Sequence, residues 1–235
     1  MPRNPQFEGS VHAPEFPRDS VWLNTAKPIS IRELEGKIVL LDFWTYCCIN
    51  CLHVLPELKT LERKYREELV VLGVHAGKFT TEKETASIAS AIDRYEIEHP
   101  VINDHNFQVW QSCGIRAWPS FTLNNPVGRI VGTHSGEGIY KLFDTMIADL
   151  IEYFDTDCRL ARSSRPTSSP PALTTTLRFL GKVEADTESG HLYVSDTGHH
   201  RILITDQEGR ILDQVGSGEP GMTDGAFETS SLQHP

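Results

Sequence analysis

One short stretch limits the folds open to this chain: an apolar run that leads directly into two closely spaced cysteines. Residues Ile38–Trp44 are apolar except for Asp42, as expected of a strand buried on both faces of a sheet. Cys48 and Cys51 follow as a C-x-x-C, and leucines then recur every three residues from 52 to 61, which predicts an amphipathic helix. A strand, a C-x-x-C and a helix in this order indicate a catalytic or metal-binding thiol site.

The periodicity after this unit predicts an α/β domain. The predicted elements are a strand at Leu69–His75, a helix at 82–95, a strand starting at Val101, a strand pair at 120–123 and 130–133, and a helix at 140–154. Strands and helices first alternate, and a hairpin and a last helix follow. This order predicts a central mixed sheet, part parallel and part antiparallel, flanked by helices.

The composition changes after the last predicted helix. Serine and proline are frequent in 163–171, which indicates a linker. Four short strands are then predicted at 182–186, 191–196, 201–206 and 211–215, a spacing that fits one blade of a β-propeller. We therefore predict an extended lead-in at 1–25, an α/β domain at 26–155, a linker at 156–172 and one blade at 173–235. Because one blade cannot close a propeller ring, the chain is expected to be a fragment or a truncated product.

Charge and hydropathy argue against several classes of protein. The 22 basic and 32 acidic residues give a formal net charge of −10, whereas nucleic-acid binding calls for a basic face. No apolar run approaches the roughly 20 residues that a membrane span needs. Residues 1–10 lack the apolar segment of a secretory signal, so the predicted compartment is the cytoplasm, and the five cysteines are not expected to form a disulfide framework.

The C-x-x-C predicts thiol–disulfide exchange at the start of a helix. Free backbone N–H groups and the helix dipole favour a thiolate at Cys48, while Cys51, one turn further on, is better shielded. Cys48 is therefore predicted to attack a disulfide and Cys51 to resolve the mixed disulfide. A structural pair of buried thiols is the alternative. No metal is predicted, because no second C-x-x-C or histidine pair at ligand spacing accompanies Cys47 and His53.

The chain resembles the thioredoxin family over roughly 15–154. Residues 39–44 are similar to the strand before that family's active site, Pro56 to its helix-kinking proline, and Trp118-Pro119-Ser120 to its cis-proline segment. The resemblance implies a thioredoxin-like fold. It also implies that Pro119 faces the disulfide and offers backbone hydrogen bonds to an extended substrate.

The same resemblance assigns three further roles. It places Asp42 at the family's buried acid, which accepts a proton from the resolving cysteine. It places Trp44 and Trp118 among the substrate-binding residues. An unpaired carboxylate is costly inside an apolar run, and this favours the proton-relay role of Asp42 over an ordinary capping acid.

The second half of the chain resembles an NHL repeat in residues 190–202, which contain the apolar strand, the aspartate and the His-Arg-Ile of that repeat. In this segment Asp196 and Arg201 are expected to be structural partners, and His199 and His200 to hold the turn. Together with the cysteine motif, this places the chain near the thioredoxin-like, NHL-repeat-containing proteins.

The predicted function is a thiol–disulfide oxidoreductase without a cofactor that acts on protein thiols and disulfides. Cys47 replaces the usual aromatic residue and Asn50 the usual proline, and Cys47 could trap or reroute a disulfide. One alternative is a redox-silent scaffold that presents an NHL propeller to protein partners. The other is a peroxiredoxin-like peroxide reductase, suggested by the T-x-x-C that starts at Thr45 but opposed by Leu41, where that family has a proline.

Overall fold

The computed structural model describes residues 5–9, 11–156, 159–162 and 175–235 of the chain. The chain divides into two compact units, one up to Pro170 and one from Pro171 onward. Most of the predicted linker at 156–172 lies outside the described residues. Across the described ranges, no helix combines the length and the apolar character that would let it cross a membrane.

The first unit contains seven strands and five α-helices among its described residues, with two short 3₁₀ turns. In chain order these are α1 Pro5–Glu8, β1 Val11–His12, β2 Val21–Leu23, a 3₁₀ turn Arg32–Leu34, β3 Ile38–Trp44, α2 Ile49–Lys64, β4 Leu69–His75, a 3₁₀ turn Thr80–Lys83, α3 Thr85–Arg94, β5 Val101–Asn103, α4 Gln108–Ser112, β6 Ser120–Asn124, β7 Arg129–Ser135 and α5 Tyr140–Asp155.

The strands of this unit form one mixed sheet in the order β1-β7-β6-β3-β4-β5-β2. β3 lies at the centre, parallel to β4 and antiparallel to β6. The prediction of a mixed sheet flanked by helices is confirmed. The two edges are strands that the sequence analysis did not identify: β1 pairs with β7 and β2 with β5, and both belong to the predicted lead-in.

β3 is buried along its whole length because both faces of the sheet are covered. Its side chains alternate between the faces. Ile38 and Leu40 pack with α2 and α5, whereas Leu41 and Phe43 pack in a separate layer on the opposite face. By the same alternation Asp42 faces the layer of α2, which is the helix that carries the cysteine pair.

The single helix predicted at 82–95 is wrong, because the structure divides this segment. A 3₁₀ turn ends at Lys83, Glu84 is extended with φ −71° and ψ 122°, and α3 begins at Thr85. The physical reason lies in Glu82, whose buried carboxylate accepts hydrogen bonds from the backbone N–H groups of Lys78 and Phe79. These bonds fix a separate turn before the helix.

The second unit contains an antiparallel sheet of four strands, in the order β11-β10-β9-β8. The strands are β8 Leu180–Asp186, β9 His191–Asp196, β10 Arg201–Thr205 and β11 Ile211–Val215. The buried Asp196 carboxylate lies 2.8 Å from Nδ1 of His199 and accepts a hydrogen bond of 2.8 Å from Nε of Arg201. The predicted partnership of Asp196 and Arg201 is thus confirmed.

Candidate functional site

The cysteine pair occupies the first turn of α2. Cys48 is the N-cap of this 16-residue helix, and its carbonyl oxygen accepts hydrogen bonds from the N–H groups of Cys51 (2.9 Å) and Leu52 (3.1 Å). Cys48 is 7% exposed and Cys51 is 0% exposed, and both are free thiols. The first cysteine therefore lies at the positive end of the helix, with the second one buried beneath it.

Cys51 is held in its protonated form. Burial raises the pKa of its thiol well above the usual value, and hydrogen bonding with Cys48 and the negative charge of Asp42 raise it further. Cys51 therefore needs a proton acceptor before it can attack a disulfide. This is the chemical requirement that a resolving cysteine imposes on its surroundings.

The carboxyl group of Asp42 can accept the proton that Cys51 must lose. Its side chain is fully buried, and neither carboxylate oxygen has a hydrogen-bond partner among the described residues. Burial raises the pKa of Asp42 to about 7; His99 acts to lower it, and Glu62 to raise it. A carboxyl group that titrates near neutral pH can both take up and release a proton there.

Cys47 differs from Cys48 in its exposure to solvent and in the reactivity of its thiol. It is exposed, and partial burial together with hydrogen bonding to Glu82 raises the pKa of its thiol to about 11. Because the thiolate is the nucleophile, Cys47 is a poor attacking group at neutral pH. Cys47 therefore lies beside the predicted pair, and the Glu82 carboxylate lowers its reactivity.

Two residues under the site were missed by the sequence analysis. Glu82 is buried and accepts a 2.8 Å hydrogen bond from the hydroxyl of Thr45. His75 is buried beside Trp44 and stacks on Tyr46, with ring centroids 5.0 and 5.4 Å away. Burial lowers the pKa of His75 to about 4, so the ring is neutral at physiological pH. Neither residue belongs to a local motif that would have identified it.

Of the predicted substrate-binding residues, Trp118 and Pro119 differ from Trp44 in their position relative to the site. The Trp118–Pro119 peptide bond is cis, and Trp118 packs against the buried cluster that contains Cys48 and Cys51. The ammonium group of Lys78 lies 5.0 Å from the centre of the Trp118 ring. Trp44, by contrast, is 0% exposed, so it offers no surface to a substrate. It packs in the same buried cluster as Cys48 and Cys51.

A cleft of about 260 Å³ opens on the side of α2, against residues 95–99. Glu62 and His99 line it, and Nδ1 of His99 lies 3.3 Å from a carboxylate oxygen of Glu62. Both side chains are only 4% exposed. At the rim, Lys59 forms ion pairs with Glu96 (3.5 Å) and Glu98 (3.3 Å). The sequence analysis did not anticipate this buried pair.

Comparison with known proteins agrees with this geometry. Residues 36–130 match the family model described as thioredoxin-like. The protein SUPPRESSOR OF QUENCHING 1, chloroplastic, of Arabidopsis thaliana is 43% identical and covers 94% of this chain. The human NHL repeat-containing protein 2 is 40% identical and covers 97% of this chain. The thiol-disulfide oxidoreductase ResA of Halalkalibacterium halodurans is 33% identical over 46% of this chain and 59% of its own length.

The chain spans only part of its relatives, 22% of the Arabidopsis protein and 32% of the human one. Among solved structures, that of a putative thioredoxin from Neisseria meningitidis superposes with a TM-score of 0.53. It is 24% identical and covers 63% of this chain and 95% of its own. This likeness concerns the fold of the first unit.

Proposed function

We propose that the chain is a thiol–disulfide oxidoreductase that exchanges disulfides with proteins through Cys48 and Cys51, supported by the match of residues 36–130 to the family model described as thioredoxin-like. The observation that carries the proposal is the asymmetry of the pair: Cys48 caps the helix, while Cys51 is buried and protonated near Asp42. Homology to a named thiol-disulfide oxidoreductase supports the same class of reaction.

The reaction follows from this asymmetry. The Cys48 thiolate attacks one sulfur of a substrate disulfide, forms a mixed disulfide and releases the other substrate sulfur as a thiolate. Cys51 gives its proton to Asp42 and attacks the Cys48 sulfur. The second substrate thiol leaves, and a Cys48–Cys51 disulfide remains. An external dithiol reductant returns this disulfide to two thiols.

Reduction of insulin disulfides by dithiothreitol tests the proposal. The wild-type chain should accelerate insulin precipitation, and Cys48→Ser should abolish the acceleration. Cys113→Ser is the matched control, because Cys113 is a thiol outside the pair. Equal rates with wild-type protein and with Cys48→Ser would reject an oxidoreductase function.

A second candidate function, a redox-silent scaffold, is favoured by the surface of the second unit. Leu180, Val183, Ile211 and Leu212 on its strands are all exposed, as on a sheet that presents apolar side chains to a partner. We propose that this unit is an NHL blade within the predicted bounds 173–235. Its four antiparallel strands and the homology to NHL repeat-containing protein 2 support this assignment.

The peroxide-reductase alternative gains no support from the Thr45 side chain, whose hydroxyl is directed to Glu82. Failure to consume hydrogen peroxide with dithiothreitol as reductant would exclude it. For the compartment we retain the reducing cytoplasm as the proposal.

A further inference from the structure

A buried group of three ionisable side chains lies behind the cysteine pair: Asp42 on β3, Glu62 on α2 and His99 before β5. The register of the sheet shows how they meet. Asp42 is paired with Gly73 in the parallel ladder of β3 and β4, and paired residues present their side chains to the same face. The space in front of Gly73 is therefore the space beside the Asp42 carboxylate.

His99 occupies the space that Gly73 leaves open. A Cβ atom at Gly73 would lie 3.3 Å from Nε2 of His99 and 3.0 Å from Nε1 of Trp44. The other ring nitrogen, Nδ1, lies 3.3 Å from the Glu62 carboxylate. The backbone carbonyl of His99 accepts a 2.9 Å hydrogen bond from the Asn24 amide, which holds this segment in place. The imidazole thus lies between the two carboxylates.

Building on the proposed function, we propose that Glu62 and His99 are positioning residues that set the protonation of Asp42 and, through it, the rate at which Cys51 resolves the mixed disulfide. A positive imidazole beside Asp42 favours its ionised, proton-accepting form, while the Glu62 carboxylate opposes that form. Because all three groups are buried, their charges act on one another with little screening by solvent.

The charged groups around Asp42 belong to three elements. Cys51 and Glu62 face it from α2, and His99 from the segment before β5. Lys59, Glu96 and Glu98 lie further out, at the rim of the cleft, where Lys59 forms an ion pair with each glutamate. Glu62 and His99 line this cleft with side chains that are only 4% exposed.

Two substitutions test the inference by the sign of their effects. His99→Gln removes the positive neighbour and leaves Glu62, so the titration midpoint of Asp42 should move to higher pH. If the midpoint moves up by about one pKa unit from about 7, the ionised fraction at pH 7 falls from about one half to about one eleventh, so resolution should fall about fivefold at pH 7 and recover at pH 9. Adding Glu62→Gln removes the opposing charge and should move the midpoint back.

The readouts are the ¹³C resonance of the Asp42 carboxyl group as a function of pH, and the rate of mixed-disulfide resolution. His105→Gln, an exposed histidine, is the matched control and should leave both unchanged. An unshifted Asp42 midpoint in His99→Gln would overturn the inference. The inference would also be overturned if the double variant had the same Asp42 midpoint as His99→Gln, because a purely structural effect of His99→Gln would not be reversed by Glu62→Gln.

The native protein provides a measurement that does not depend on the variants folding. In the wild-type chain, the Asp42 carboxyl and the His99 ring should each show an inflection at the midpoint of the other. Independent single-site titration curves would reject the coupling. These resonances need no substrate, so a chain without insulin reductase activity would count against the proposed function and leave the coupling to be decided by the titration.

Discussion

The hydroxyl of Thr45 donates a 2.8 Å hydrogen bond to the carboxylate of Glu82, although 37 residues separate them in the chain. This bond joins the residue after β3 to the 3₁₀ turn that follows β4. Burial alone would raise the pKa of Glu82, but hydrogen bonds from Cys47, from Thr45 and from two backbone N–H groups lower it overall. The buried carboxylate thus remains ionised next to Cys47.

Glu82→Gln should increase the reactivity of Cys47. Removing the negative charge lowers the pKa of the Cys47 thiol, so iodoacetamide should label it several-fold faster at pH 8. The weaker hydrogen bonds should also lower the free energy of unfolding by about 1–3 kcal/mol. Peptide mass spectrometry and urea denaturation measure the two effects. Glu84→Gln, at an exposed neighbour, is the control, and an unchanged labelling rate in Glu82→Gln would contradict this account.

Cys48 should react with limiting iodoacetamide at pH 7 at least about tenfold faster than Cys51. Cys48 caps the helix, whereas burial keeps Cys51 protonated and out of contact with the reagent. The measurement is best made in a Cys47→Ser background, which removes the exposed thiol. Equal labelling of the two cysteines, or labelling of Cys51 first, would reverse their assigned roles.

Asp42→Asn should slow the second step of exchange rather than the first. With 5,5′-dithiobis(2-nitrobenzoate), the attack by Cys48 releases one coloured thiolate and the attack by Cys51 releases another. The variant lacks a base for the Cys51 proton, so the second release should fall about 100-fold at pH 7 while the first changes little. The other three cysteines of the chain, Cys47, Cys113 and Cys158, are replaced by serine in both proteins compared. If both releases keep their rates, Asp42 has only a structural role.

The same substitution should stabilise the protein, and more so at high pH. Because burial raises the pKa of Asp42 from 3.8 to about 7, the folded state holds this proton more tightly than the unfolded chain does. The stability due to this group is therefore greatest below pH 4 and declines as the pH rises to 7, by up to about 4 kcal/mol.

Urea denaturation of the two proteins measures this effect. Asp42→Asn should exceed the wild-type chain by about 2–4 kcal/mol at pH 8, and the gap should close toward pH 4. A gap that is constant with pH would show that Asp42 keeps an ordinary pKa in the folded state.

The second unit should exchange its amide hydrogens faster than the first. Leu203 is the only nearly inaccessible apolar side chain in residues 175–235, and β8 is exposed along almost its whole length. In the intact chain, protection in β8 should be at least about tenfold lower than in β3 and β4. Hydrogen exchange followed by mass spectrometry compares these strands directly, and equal protection would refute the expectation.

The sequence predicted the parts of the site that depend on neighbouring residues. Cys48 and Cys51 are recognisable from their spacing, and Asp42 from its position inside an apolar run. Glu62 and His99, like Thr45 and Glu82, come together across 37 residues. Such contacts depend on how strands and helices pack, so no local pattern reveals them.

The same limit applies to the fold. The long buried strands β3 and β4 were predicted with their observed bounds, because seven consecutive residues carry a clear pattern. β1 and β2 have two and three residues, too few to show any periodicity. They are strands only because they pair with β7 and β5, and their own residues do not predict that pairing.

The placement of these two short strands bears on how the domain behaves at high concentration. β1 pairs with Arg129 and Ile130 at the start of β7, and β2 pairs with all three residues of β5; strands this short give another molecule little to pair with. A chain trimmed to start at residue 26 would lose both strands and leave Arg129 and Ile130 of β7 and Val101–Asn103 of β5 without a partner strand. Such a chain is expected to associate edge to edge more readily than the full chain, most of all through the uncovered edge of β5.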